Sequence, residues 1–113
     1  MHAFDVLGDP VRRRLLELIG ASERTAGEVT DVVVEEFGIT QPAVSRQLRI
    51  LRENGFATVR AHGTRRLYSI DPDGFSEAED WLERVDRYWG TKLDALELEI
   101  RRQNRGTQKG GAR

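Results

Sequence analysis

Residues 40–49, TQPAVSRQLR, gather side chains that can address the edges of a nucleic-acid duplex. An arginine pairs two donors with O6 and N7 of guanine, a glutamine matches adenine in the same bidentate way, and serine or threonine bonds a base edge or a phosphate. The candidates in this stretch are Thr40, Gln41, Pro42, Ser45, Arg46, Gln47 and Arg49. A second group lies in residues 60–66, RAHGTRR, where Arg60, His62, Thr64, Arg65 and Arg66 form a cluster suited to neutralising phosphates or entering a minor groove. His62 reads as a turn residue or a phosphate contact rather than a metal ligand, because no partner ligand stands near it in the chain.

Other chemistries lack their residues. The chain has no cysteine, which removes disulfides, thiolate zinc sites and cysteine nucleophiles together. No Ser–His–Asp set, phosphate-cradling glycine loop or histidine cluster supports an enzyme, and neither a cofactor nor a metal is expected. The net charge of -1 at first argues against a polyanionic partner. Its distribution reverses that argument, because residues 41–70 carry a net +5 while residues 71–100 carry a net -7. Such asymmetry reports on partners more than the total does. No secretory signal and no apolar run approaching the roughly 18 residues of a membrane span is present, so a soluble cytoplasmic protein of one domain is expected.

The elements that must position these residues are written in caps and periodicity. Asp9 is a good N-cap and Pro10 suits a first helical position, and Val11, Leu15, Leu18 and Ile19 recur at helical spacing, so a helix is predicted over residues 10–21 with Arg12, Arg13 and Arg14 largely solvated. The preceding HAFDVL reads as a short extra helix. Thr25 and Glu28 form a capping box that opens a second helix, whose apolar side is Val29, Val32, Val33 and Phe37 and whose terminator is Gly38. Thr40 caps a third helix, with Gln41 and Pro42 in its first turn. Around this third helix Val44, Leu48 and Leu51 share one stripe, while Pro42, Arg46 and Arg49 fall near the opposite side and Ser45 on a flank. Ile50 falls off that stripe.

Two helices joined by a short glycine turn, the second presenting Gln, Ser and Arg from its first half, make a helix-turn-helix over about residues 25–54. Arg46 and Arg49 taken alone read equally as solvated surface charge. Residues 56–70 decide between the two, because two β-rich runs flank the turn signal HGT and read as a β-hairpin wing with a basic tip. A basic tip following a basic helix favours DNA contact over simple solvation. The competing class is a winged-helix module that binds an acidic protein.

The last third bears on assembly. Phe75, Ala78, Leu82, Val85, Trp89, Leu93, Leu96 and Ile100 recur every three or four residues, with Trp81 and Tyr88 beside them, which predicts a long helix over residues 74–103. Its apolar surface exceeds what a small head can cover, so the same helix of a second copy is the expected partner, with Phe75, Leu82, Val85, Trp89, Leu93 and Leu96 at the dimer interface. Trp81, Tyr88 and Trp89 also suggest a pocket for a small apolar effector, although such stripes are more often core. Residues 1–104 are expected to form the winged domain, and residues 105–113 a disordered basic tail.

Three stretches, LGDPVRRRLLELI, ITQPAVSRQLRILRENGFATVR and GTRRLYSID, resemble the ArsR-type winged helix-turn-helix family, and the likeness covers most of residues 4–100. The resemblance implies a mainly α fold with a small β-hairpin and a long C-terminal dimerisation helix. It implies a homodimeric repressor that binds double-stranded DNA, with recognition positions at Gln41, Ser45, Arg46, Gln47 and Arg49. The chain departs from the family's metal sensors. TAG at residues 25–27 stands where many carry Cys-x-Cys, and the last helix has carboxylates but no histidine, which implies a non-metal-sensing subgroup. The helix after Thr25 is also a few residues longer than is usual.

Overall fold

The computed structural model describes residues 1–107, apart from the side chains of Thr91, Leu93 and residues 104–107. It is mainly α-helical with a small antiparallel sheet, and it divides into two compact units, Met1–Ala78 and Glu79–Arg113.

In the first unit, α1 (Ala3–Leu7) and α2 (Pro10–Ala21) precede a two-residue strand β1 (Arg24–Thr25), which leads into α3 (Ala26–Phe37) and α4 (Gln41–Glu53). The caps are made as their residue types dictate. Asp9 Oδ1 accepts from the amides of Val11 and Arg12, the Thr25 hydroxyl and the Glu28 carboxylate satisfy each other's backbone amides, and Thr40 Oγ1 accepts from Ala43 N at 3.3 Å. Gly38 ends α3 at φ 65° with its amide on Val34 O, a left-handed turn that glycine enters without a steric penalty.

The core takes Leu15, Leu16, Leu18 and Ile19 from α2, Val29 and Val33 from α3, and Val44, Leu48 and Leu51 from α4. Burying each such side chain contributes about 1.5–3 kcal/mol, so three anchors on α4 outweigh any weak propensity of its polar remainder. Phe37, expected on the apolar side of α3, is instead exposed, and Ile50 is half-buried. Arg12 reverses its expectation more sharply, because it is buried at 9% exposure.

Strands β2 (Ala57–His62) and β3 (Arg65–Ile70) form the hairpin, joined by Gly63 and Thr64. A third strand, unforeseen in the sequence, pairs β1 with β3 at Arg24–Tyr68 and Thr25–Leu67, giving the order β1-β3-β2. After β3 a 3-10 turn (Pro72–Phe75) folds back onto the end of α4. Asp71 N donates to Phe56 O at 3.0 Å, and Phe75 meets Phe56 edge to face at 5.0 Å. The approach is so close that a Cβ on Gly74 would strike the Gly55 carbonyl and Phe56 Cα.

The helical segment beyond differs from one continuous helix over residues 74–103. Helix α5 (Ser76–Val85) gives way to a π-helical turn (Asp86–Gly90) and then to α6 (Thr91–Thr107). The apolar stripe takes two successive steps of four here, Val85 to Trp89 to Leu93, which overrun a 3.6-residue turn, and an i→i+5 turn absorbs the surplus. Tyr88 and Trp89 pack edge to face at 5.0 Å, with the Lys92 ammonium 5.0 Å from the Tyr88 ring centre. Helix α6 extends three residues into the segment expected as a tail, and residues 108–113 lie outside the described residues.

Candidate nucleic-acid interface

Helix α4 separates its residues by function of position. Val44, Leu48 and Leu51 are buried, whereas Gln41, Pro42, Ser45, Arg46 and Arg49 are exposed, as is the cap Thr40. Among the described residues Arg46 and Arg49 make no side-chain hydrogen bond or ion pair, so both guanidiniums keep all their donors for an outside ligand. Arg52, which the periodicity did not single out, is exposed one turn beyond Arg49 and lines an open groove of about 600 Å³ with Ala57, Ala61 and Arg66. The i, i+3 spacing from Arg49 was the signal for it.

Gln47 behaves differently from its neighbours. It is half-buried, and its Oε1 accepts from Arg12 Nη1 at 2.7 Å. The same guanidinium donates from Nε to Val6 O and from Nη2 to Asp5 O, each at 2.8 Å, with Asp9 Oδ2 at 4.0 Å from Nη1. Desolvating such a group costs several kcal/mol, and three charge-assisted hydrogen bonds of about 1.5–3 kcal/mol each bring the arrangement close to balance. Helical spacing carried a signal for Arg12 as the buried one of the three arginines, because Leu15, Leu16 and Ile19 stand three, four and seven positions beyond it on one face, but its acceptors, two carbonyls of α1 and a side chain 35 positions away, left none.

The wing is sorted by its pleat. Thr58, Arg60 and His62 share one face of β2 and Ala57, Val59 and Ala61 the other, so the register places Arg65 beside His62 and Arg66 beside Ala61. A hydrogen bond between the hydroxyls of Thr58 and Ser69 at 3.0 Å fits that assignment. His62, Thr64, Arg65 and Arg66 are exposed at the tip. A second open groove, of about 570 Å³, lies between the first turn of α3 and this tip and is lined by Thr25, Glu28, Thr64, Arg65 and Arg66. Glu28 is held below the ordinary carboxylate range first by the Thr25 amide and hydroxyl, and further by Arg24 and Arg65. The Arg24 Nε is buried with no hydrogen-bond partner among the described residues.

Arg60 is not a free cation. Its Nε and Nη2 both meet Glu23 carboxylate oxygens at 2.7 Å, a bidentate pair that lowers the Glu23 pKa and raises that of Arg60. Arg14 is likewise held, by Glu36 at 2.8 and 2.9 Å and by Glu17 at 3.2 Å.

Of the residues expected at a dimer interface, Leu82, Trp89 and Leu96 are more than half exposed, Val85 is half-buried, and Phe75 is half-buried against Phe56. The Leu93 side chain lies outside the described residues. Trp81 and Tyr88 are also exposed, at 45% and 57%. Among the described residues no three histidine or carboxylate groups converge as a metal site, and no helix is long and apolar enough to cross a membrane.

Comparison with known proteins places this geometry. Residues 7–60 match the family model described as a helix-turn-helix domain. The chain is 31% identical over 92 residues to the HTH-type transcriptional regulator Rv2034 of Mycobacterium tuberculosis, covering 81% of this chain and 79% of that one. It is 27% identical over 81 residues to the transcriptional repressor SdpR of Bacillus subtilis, covering 72% and 86%. Among solved structures, a possible transcriptional regulator for arsenical resistance superposes with a TM-score of 0.64 at 30% identity, over 88% of this chain and 96% of that one. The homodimeric winged helix-turn-helix DNA-binding domain Mb0332 of Mycobacterium bovis, a possible ArsR-family regulator, shares the fold with a TM-score of 0.56 at 21% identity, over 75% of each chain. With a buried-stripe helix behind a glycine turn, a basic-tipped hairpin after it and these relatives, the chain belongs to the ArsR-type family of winged helix-turn-helix transcriptional regulators.

Proposed function

We propose that the protein is a homodimeric, sequence-specific repressor of transcription that acts on a roughly palindromic operator. One observation carries the reading: α4 buries Val44, Leu48 and Leu51 and leaves Ser45, Arg46 and Arg49 exposed, the two arginines without an acceptor among the described residues. One such helix from each subunit enters successive major grooves, with half-sites about 34 Å apart. Gln41, Ser45, Arg46 and Arg49 meet base edges or phosphates there, and Thr40 and Pro42 set the start of the helix against the backbone. The wing tip, with His62, Thr64, Arg65 and Arg66, grips flanking phosphates, and Arg60 joins it on release from Glu23.

The exposed apolar side chains Leu82, Trp89 and Leu96 support pairing through a second copy, as the homodimeric state of the Mycobacterium bovis domain does by likeness. Repression is supported by likeness to the Bacillus subtilis repressor. The protein works in the cytoplasm without sensing a metal through cysteine or histidine ligands. Selection from a random pool of duplexes tests the reading, followed by titration at several salt concentrations and a solution mass measurement. The expected result is an enriched inverted repeat, affinity falling linearly on a log–log salt plot, and a dimeric mass. Binding without sequence preference, or a bound monomer, overturns it.

A further inference from the structure

We infer that Arg12 is a positioning residue for base readout, acting through Gln47 to fix the roll of α4 about its own axis; the inference rests on the DNA-reading role proposed for that helix. The three apolar anchors of α4 lie along one stripe and make non-directional contacts, which resist displacement from the core better than they resist a small rotation. Gln47 falls about 60° from Val44 on the side away from Ser45, so a bond made there opposes that rotation with leverage. The bond is charge-assisted at 2.7 Å, and its donor does not swing, because the other limbs of the Arg12 fork hold the Asp5 and Val6 carbonyls at 2.8 Å.

Gln47 therefore docks on a fixed group. Its carboxamide oxygen is the atom that a bidentate contact with adenine requires, and Arg12 already holds it. Arg46, its immediate neighbour, and Arg49 share the backbone whose roll this bond sets. Base readout tolerates displacements of only about 0.5 Å, whereas phosphate attraction is far more forgiving, so the latch acts on sequence preference and leaves general affinity alone.

The test uses the full chain, a duplex carrying the sequence that the wild type selects from a random pool, and a scrambled duplex of equal length. Arg12→Lys keeps the charge and the reach to the α1 carbonyls but loses the planar fork. The expected result is a roughly tenfold loss in the ratio of specific to scrambled affinity, with scrambled affinity within about twofold of wild type. Gln47→Leu lowers the ratio similarly, and the double variant lowers it no further than either single change. An unchanged ratio in Arg12→Lys overturns the latch, and so do losses that multiply, since those mean that Gln47 meets DNA directly. Should Arg12→Lys fail to fold by circular dichroism, reselection with Gln47→Leu decides: preference flattened across several positions supports the latch, and a change confined to one base pair overturns it. A wild type that selects no sequence overturns the functional reading, a result distinct from these.

Discussion

Helices α2 and α4 both carry clustered arginines, and they use them in opposite ways. In α2, Arg12 is buried on carbonyls and Gln47, Arg13 donates to Leu7 O at 2.7 Å, and Arg14 is clamped by Glu36 and Glu17. In α4, Arg46 and Arg49 face out with no acceptor among the described residues. The difference does not lie in the arginines. It lies in whether the tertiary fold brings an oxygen within reach, and that decides whether a positive charge braces the protein or stays available to another molecule.

The contrast is broken most severely at its buried end. Arg12→Ala strips two α1 carbonyls and Gln47 of their donor and is expected to lower the free energy of unfolding by about 3 kcal/mol, measured by urea titration. A loss below about 1 kcal/mol would mean that water replaces the guanidinium without difficulty. At the exposed end, Arg46→Ala or Arg49→Ala is expected to weaken binding to the selected duplex by about 1–3 kcal/mol with stability changed by less than about 0.5 kcal/mol. Equal binding in a mobility-shift titration would show that the reading face was misassigned.

An intermediate case sharpens the division. Glu23→Gln removes the carboxylate that holds Arg60 and is expected to raise affinity for scrambled duplex roughly twofold at low salt, an effect that fades as ionic strength rises. The smallest effect concerns acid. Glu23 and Glu36 are both held below the ordinary carboxylate value of 4.5, by Arg60 and by Arg14 respectively. A carboxylate with a depressed folded pKa contributes stability above its unfolded value and loses it as pH falls through the folded one. The melting temperature should therefore hold from neutrality to about pH 4.5 as far as these pairs are concerned, then decline, with Glu36→Gln removing part of the decline. A fall already complete by pH 5 would assign it to other groups.

The same distinction explains how much the sequence disclosed. Caps are local, so Asp9 before Pro10, the Thr25–Glu28 box and Thr40 before Pro42 could be read from neighbours three or four residues apart. The buried stripe of α4 was legible for the same reason, because Val44, Leu48 and Leu51 obey one period. Pairings across the fold were not. Arg60 and Glu23 are 37 positions apart and Arg12 and Gln47 are 35 apart, and neither pair leaves a periodic trace. Strand β1 left no trace because two residues cannot show alternation, and the π-helical turn left only one, a second consecutive step of four from Val85 through Trp89 to Leu93 in a stripe that otherwise alternates threes and fours.

That short strand carries a mechanical consequence. Thr25 is at once the last residue of β1, paired with Leu67 in the wing, and the N-cap of α3. A single residue thus belongs to both halves of the interface, so the wing cannot be re-aimed without tilting the entrance to the helix-turn-helix. Lengthening the chain between Gly63 and Thr64 would change only the reach of the hairpin, whereas one extra residue between Ser22 and Thr25 would disturb both halves together.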